Sequence, residues 1–220
     1  MPIFVDAKSD YLDRRSVTNP TNPYSTKALK LIRDNPTSII LDFGAGNPRQ
    51  EELYKHVVRM EFVHYRSTDI VSTYRNIPFR DESFDFIISE SVFEHVKDPW
   101  HYAEELYRVL RIRGIVLVDT AFLQPVHGDP HHYFNMTLQG LKEVFRMFHI
   151  VDSGVEPYQS PGFTMNILRD TMVGLISDEV IRQSLKNIIG QIDFTTYDQY
   201  IPTDVKHVMS AGVYAILEKR

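Results

Sequence analysis

Residues 38–50 read SIILDFGAGNPRQ, and the fold turns on how they are read. Ser38 to Phe43 form a short, nearly continuous apolar run rich in β-branched side chains, the pattern of a strand buried on both faces. Gly44 and Gly46 then permit a sharp bend at the strand's carboxyl end, with no side chain to block a ligand that approaches the backbone. Asn47, Pro48 and Gln50 supply an N-cap, a first-turn proline and a capping-box-like glutamine, so the sequence predicts a helix from there to about Val58. A dinucleotide loop calls for G-x-G-x-x-G, but Asn47-Pro48-Arg49 follows Gly46. That argues against NAD and against a phosphate-cradling loop with its lysine.

Outward from this turn, strands and helices alternate. STKALKLIRD, from Ser25, sets Ala28, Leu29 and Ile32 at helical spacing. EFVHY (61–65), FDFIIS (84–89) and IVLVDTAF (115–122) read as strands. DPWHYAEELYRVLRIRG (98–114) reads as a helix with Asp98 as cap, an apolar stripe of Trp100, Ala103, Leu106, Tyr107 and Leu110, and Gly114 as its stop. Thr137 caps a further helix, HIVDSGV (149–155) is the next strand, and GVYAILEK (212–219) is the last. The fold class is therefore α/β, with a mostly parallel sheet. Residues 161–208 break the rhythm with two amphipathic helices, the second carrying Ile181, Leu185, Ile188 and Ile192 on one side. The expected organisation is one domain over 1–220. Residues 1–37 form a lead-in and helix, and 161–208 form a helical insertion before the last strand, a lid or a homodimer contact.

A chain of 220 residues holds one sizeable core. Its 24 basic and 29 acidic residues leave a formal charge of −5, which gives no electrostatic reason to expect nucleic acid. Arg108, Arg111 and Arg113 read as cations at a helix C-terminus. The absence of cysteine removes thiolate metal sites and cysteine nucleophiles. The opening MPIFVDAKSD lacks the features of a signal peptide, and no segment has the apolar length of a membrane span, so a cytoplasmic protein is expected.

The stretch ILDFGAGN resembles the first motif of class I S-adenosylmethionine-dependent methyltransferases, and IPFRDESFDFIISESVFEHVKDPW with EELYRVL resembles the central part of their small-molecule, type 11-like branch. AFLQPVHGDPHHYFNMTLQGLKEVF and AGVYAILEK are similar to a bacterial subgroup associated with polysaccharide or secondary-metabolite clusters. The resemblance implies a Rossmann-like sheet whose final strand is antiparallel, with S-adenosyl-L-methionine lying across strand ends. It implies that Asp42, Gly44, Ala45, Gly46 and Asn47 line the methionine half, that Asp69 accepts from the ribose hydroxyls with Ile70 beside it, and that Ser89, Glu90 and Ser91 face the methyl donor. Only Ile70 to Asn76 separates Asp69 from the IPF element, too short for a helix and a full strand. The third strand is accordingly expected to be missing or truncated, with Thr73 or Asn76 as the adenine-side candidate.

The implied activity is methyl transfer to a small molecule, foremost a hydroxyl of a sugar or glycosylated metabolite. The alternatives are an N-methyltransferase acting on a small amine, or a non-catalytic binding or scaffold protein that keeps the fold. A hydroxyl acceptor gains from a nearby base. HGDPHHY places His127, His131 and His132 in the loop after the fifth strand, and His127 is the first candidate, with His132 and His95 behind it. His127, His131 and His132 with Asp129 and Glu90 could hold a zinc or a harder divalent cation, but the adjacent His131 and His132 should diverge, and no metal is among the expected cofactors.

Overall fold

The computed structural model describes residues 3–4, 12–17, 23–48, 53–72, 76–128 and 131–220. Its ten strands are β1 (Ile3–Phe4), β2 (Leu12–Asp13), β3 (Ile40–Phe43), β4 (Val57–Glu61), β5 (Val63–His64), β6 (Ile70–Val71), β7 (Phe84–Glu90), β8 (Leu110–Ala121), β9 (His149–Gly154) and β10 (Gly212–Glu218). The α-helices are α1 (Thr26–Asp34), α2 (Pro99–Val109), α3 (Leu138–Val144), α4 (Pro161–Gly174) and α5 (Glu179–Ile189). Eight strands form one sheet in the order β1-β6-β4-β3-β7-β8-β10-β9, while β2 and β5 pair separately. From β1 to β8 every pairing is parallel, and β10 runs antiparallel to both β8 and β9.

The central strands are buried on both faces, as their composition requires. All four residues of β3 are buried, and Leu41, Phe43, Ile87, Val116 and Val118 join one core cluster with α2 and α3. Ile40, Ile88 and Leu117 point the other way, onto Ala28 and Ile32 of α1. Ser25 caps α1 by accepting from Ala28 N, Asp98 caps α2, and Thr137 caps α3, each at the position that its side-chain oxygen predicts.

Several local expectations are corrected, and one open alternative is resolved. The helix expected from Asn47 to Val58 is not formed over its described part: residues 53–56 carry no helix and Val57 already opens β4, while residues 49–52 lie outside the described residues. β4 therefore ends at Glu61, where the sequence reading began its strand. Helix α2 stops at Val109, because Leu110 pairs with Phe84 while Ile115 pairs with Phe86; residues 111–114 bulge out between them, with Arg113 at φ 68°. Arg111 and Arg113 thus belong to a strand bulge, bound to Asp85 at 2.5 Å and Glu218 at 3.0 Å. The buried face of α2 uses Tyr102 and Val109, leaving Trp100 45% exposed. The third strand of the parallel array, β6, is present and truncated to two residues.

Residues 161–208 fall between β9 and β10 as α4, α5 and two short 3-10 helices, Phe194–Tyr200 and Thr203–Val208. No residue of α5 is buried. No helix among the described residues is long and apolar enough to cross a membrane.

Candidate active site

A cavity of about 200 Å³ opens at the carboxyl ends of β3, β4 and β7. Its floor is the glycine turn. Gly44 adopts φ +78°, and a Cβ placed there would stand 2.3 Å from Val92 Cγ2, so any side chain must both strain the backbone and displace the wall. The N–H groups of Gly44 and Ala45 donate to Met60 O at 2.9 and 3.2 Å, tying the turn to β4. Gly46 N–H donates to Glu61 Oε2 at 2.9 Å, and the amides of Phe62 and Val63 donate to Glu61 Oε1 at 2.8 and 3.2 Å.

The cavity is acidic. Asp42, Glu61 and Glu90 all line it, and no lysine or arginine is among its described lining residues. Burial pushes the Asp42 carboxyl from its ordinary 3.8 up to about 7, opposed by the hydrogen bond from Tyr24 and reinforced by the charge of Glu61. Burial likewise raises Glu90, with Asp119 adding its charge, and raises Asp119 itself. Buried carboxyls favour a cationic ligand, whose charge would restore their ionised form.

The chain before α1 closes one side. Pro23 and Tyr24 line the cavity, the Tyr24 hydroxyl donates to Asp42, and Ser25 N–H donates to Glu90 Oε2 at 3.1 Å. The cavity so closed lies below the roughly 300 Å³ at which small-ligand pockets usually begin.

Of the residues singled out from sequence, Asp42, Gly44, Ala45, Gly46, Glu90, Ser91 and His95 converge on this cavity. The others do not line it. Asn47 is buried beside it, accepting from Ser67 Oγ at 3.2 Å. Asp69 is turned into an ion pair with Arg59 at 2.7 Å and accepts the Arg59 N–H at 3.0 Å. Ile70 is buried in β6, Asn76 is exposed, and Ser89 is fully buried in β7. The position at the end of β4 belongs to Glu61, which sequence reasoning missed because the helix had been carried through Val58. Its signal was present: VVRME is a short apolar strand pattern ending in an acid.

At the far side of His95 stands a histidine cluster. The rings of His95 and His127 lie 5.3 Å apart, His95 and His132 5.7 Å, and His127 and His132 4.4 Å. Gly128, at φ +104°, permits this packing: a Cβ there would meet His95 Cε1 at 2.6 Å. His132 is occupied at both nitrogens, since Nδ1 accepts from His127 N–H at 3.2 Å and Nε2 faces Asn135 Oδ1 at 2.8 Å and Phe134 O at 3.1 Å. It therefore holds the loop and has no lone pair to offer a substrate. His131 turns away toward Tyr133, its carbonyl facing His95, and Asp129 lies outside the described residues. Glu94, buried behind His95 and raised by that burial, was not singled out from sequence.

Comparisons with known proteins agree with this geometry. Residues 41–118 match the family model described as a methyltransferase domain. An uncharacterized methyltransferase of Mycobacteroides abscessus is 36% identical over 73 residues, 31% of this chain and 28% of that protein. Another, from Mycobacterium sp. (strain KMS), is 44% identical over 54 residues, 24% of this chain and 21% of that protein. The chain thus matches less than a third of the length of these relatives. Among solved structures, a SAM-dependent methyltransferase of Thermotoga maritima described as a possible histamine N-methyltransferase superposes with a TM-score of 0.51 at 16% identity, covering 88% of this chain and 87% of that one. Haemonchus contortus phosphoethanolamine N-methyltransferase 2, in complex with S-adenosyl-L-methionine, gives 0.50 at 17% identity, covering 92% of this chain and 54% of that one. These likenesses show a shared fold.

Proposed function

We propose that this chain transfers a methyl group from S-adenosyl-L-methionine to a hydroxyl of a small molecule, a sugar or glycosylated metabolite. The observation that carries the reading is the glycine turn at Gly44 and Gly46, set flush among Asp42, Glu61 and Glu90 at the ends of three parallel strands. The residues present suit that cofactor: a sulfonium and an ammonium are cations, and the lining offers carboxylates. The match of residues 41–118 to a methyltransferase domain supports the same reading.

Asp42 and Glu90 would hold the methionine end, and Glu61, with two oxygens at the end of β4, would accept from the ribose hydroxyls in place of Asp69. Gly44, Ala45 and Gly46 let the cofactor lie against backbone. The cofactor supplies an electrophilic methyl carbon. An acceptor hydroxyl held in line with that carbon would take the methyl as the carbon–sulfur bond broke onto sulfur, its proton passing to a neighbouring base or to water. Orientation does most of the work in such an in-line displacement. Ser91 and His95, past the end of β7, stand on the acceptor side, which favours a hydroxyl acceptor because its proton must be removed.

Opening of the Tyr24 strap would enlarge the cavity enough to admit the nucleoside. The decisive experiment is calorimetry with S-adenosylhomocysteine. The unaltered chain should bind one equivalent and Gly44→Ala should abolish binding. A chain that binds none, or binds equally well with Gly44→Ala, would refute the assignment.

A further inference from the structure

Beside the cavity, three side chains turn their ligating atoms toward one another. His95 Nδ1 is 2.7 Å from His131 O, and His127 Nδ1 is 3.0 Å from Pro125 O. A carbonyl only accepts, so each Nδ1 carries the hydrogen and each neutral imidazole presents its Nε2 lone pair. Both Nε2 atoms face the same oxygen, Glu94 Oε1, at 4.0 Å each. The other Glu94 oxygen accepts from Thr120 Oγ1 at 2.9 Å, which fixes the carboxyl in its buried position. The ligating atoms of the three residues all lie within 4.8 Å of one another. Two imidazole nitrogens and a carboxyl oxygen turned toward one point make a donor set for a cation.

We propose that Glu94, His95 and His127 form a binding site for a first-row divalent transition-metal ion, zinc or iron(II) in type. The donor set decides the class, because two imidazoles with one carboxylate suit zinc or non-haem iron, whereas magnesium and calcium prefer all-oxygen surroundings. Nitrogens about 2.1 Å from an ion stand about 3.4 Å apart in a tetrahedral site, so each nitrogen–oxygen pair, now at 4.0 Å, must close by about 0.6 Å, and the nitrogen pair by at most about 1.4 Å. The arrangement behind the ligands is what a metal site needs. Each histidine has its far nitrogen held by a backbone carbonyl, which fixes tautomer and ring orientation, and the carboxylate is anchored by a hydroxyl. His132 adds a third support by accepting the His127 backbone N–H. Gly128 lets the His127 loop press onto the His95 ring, so the two ligands are brought together by a position that tolerates no side chain.

This set shares only His127 with the one the sequence suggests, which combines His127, His131 and His132 with Asp129 and Glu90. His131 faces away, and its carbonyl serves as the support for His95. Because His95 also lines the cavity, the ion would stand at its acceptor end and could lower the pKa of a hydroxyl bound to it. That consequence rests on the transferase reading. The binding itself does not.

The test uses the untagged full chain, stripped with chelator and titrated with Zn²⁺ by calorimetry and with Co²⁺ by visible absorption. One ion per chain is expected, with Co²⁺ showing the ligand-field bands of nitrogen and oxygen ligation. His95→Ala and His127→Ala should each weaken binding by about 100-fold or more, while His149→Ala, at an exposed histidine away from the cluster, should leave it unchanged. Glu94→Gln should act like the histidine variants; since Glu94 is buried, the two histidine variants keep the test decisive if that one fails to fold. Absence of stoichiometric binding, or binding that survives both histidine substitutions, overturns the proposal. Titration of the same preparations with S-adenosylhomocysteine separates the two ideas. Nucleoside binding without ion binding refutes the metal site alone, and ion binding without nucleoside binding supports it while refuting the transferase reading.

Discussion

Replacing Asp42 by asparagine should flatten the pH dependence of stability. The Asp42 carboxyl titrates near 7 in the folded chain against an ordinary 3.8, because burial disfavours its charge. A raised carboxyl leaves the native state fully stabilised below about 3.8 and progressively less so as pH rises through about 7. At about 1.4 kcal/mol per pH unit, the portion lost between pH 5 and 7 is about 3 kcal/mol, or on the order of 6–12 °C in Tm for a chain of this length. Asparagine keeps an oxygen for the Tyr24 hydroxyl but has no charge to bury, so Asp42→Asn should lose none of this portion. Glu90, Glu94 and Asp119 are raised in the same direction and leave a residual slope in both proteins. The assay is thermal unfolding of ligand-free protein between pH 5 and pH 8. Curves for parent and variant that run parallel across that range would refute the account of Asp42 as a destabilised charge awaiting a cationic ligand.

Three further outcomes are expected. Glu61→Gln should weaken S-adenosylhomocysteine about tenfold or more, because a carboxylate accepts more strongly than an amide, whereas Asp69→Asn should leave affinity within about twofold; calorimetry that ranks them the other way restores Asp69 as the ribose partner. Tyr24→Phe removes the hydroxyl that holds Asp42, so it should cost the free protein about 1.5–3 kcal/mol by urea unfolding and tighten nucleoside binding; weaker binding would mean that Tyr24 contacts the ligand and is no strap. Light scattering decides between the two roles expected of residues 161–208: a concentration-dependent dimer that Ile188→Glu, at a residue 68% exposed on α5, reduces would support a homodimer contact. A concentration-independent monomer would leave only a lid role.

The sheet was legible where a strand is a short apolar run buried on both sides, as in β3, β7 and β10, because burial writes itself into composition. What failed was junctions. The residues after Asn47 carry good capping signals, yet the next strand begins at Val57, and pairing with β3 from Ile40↔Val57 onward overrides local helix preference. The Arg111–Gly114 segment looked like a helix end because basic residues and glycine suit one, whereas it is a bulge fixed by the unequal spacing of its partner strand. The glycine turn was readable for the same reason that β3 was: it follows directly from the strand. Glu61 and Glu94 were not, since an acid's role depends on which strand end it occupies and on neighbours distant in sequence. The His95 and His127 pairing depends on Gly128 and two carbonyls, and no periodicity encodes that.

The short β6 has a consequence for how the chain tolerates trimming. Two residues of backbone leave little for a neighbour to hold, and β1 is what covers them, pairing Ile3 with Ile70 and Phe4 with Val71. Cutting the chain before α1 would strip that cover and release the Tyr24 contact in the same stroke. The uncovered margin would offer free amide and carbonyl groups to another molecule, so a shortened protein should be at once more open to ligand and more prone to clump.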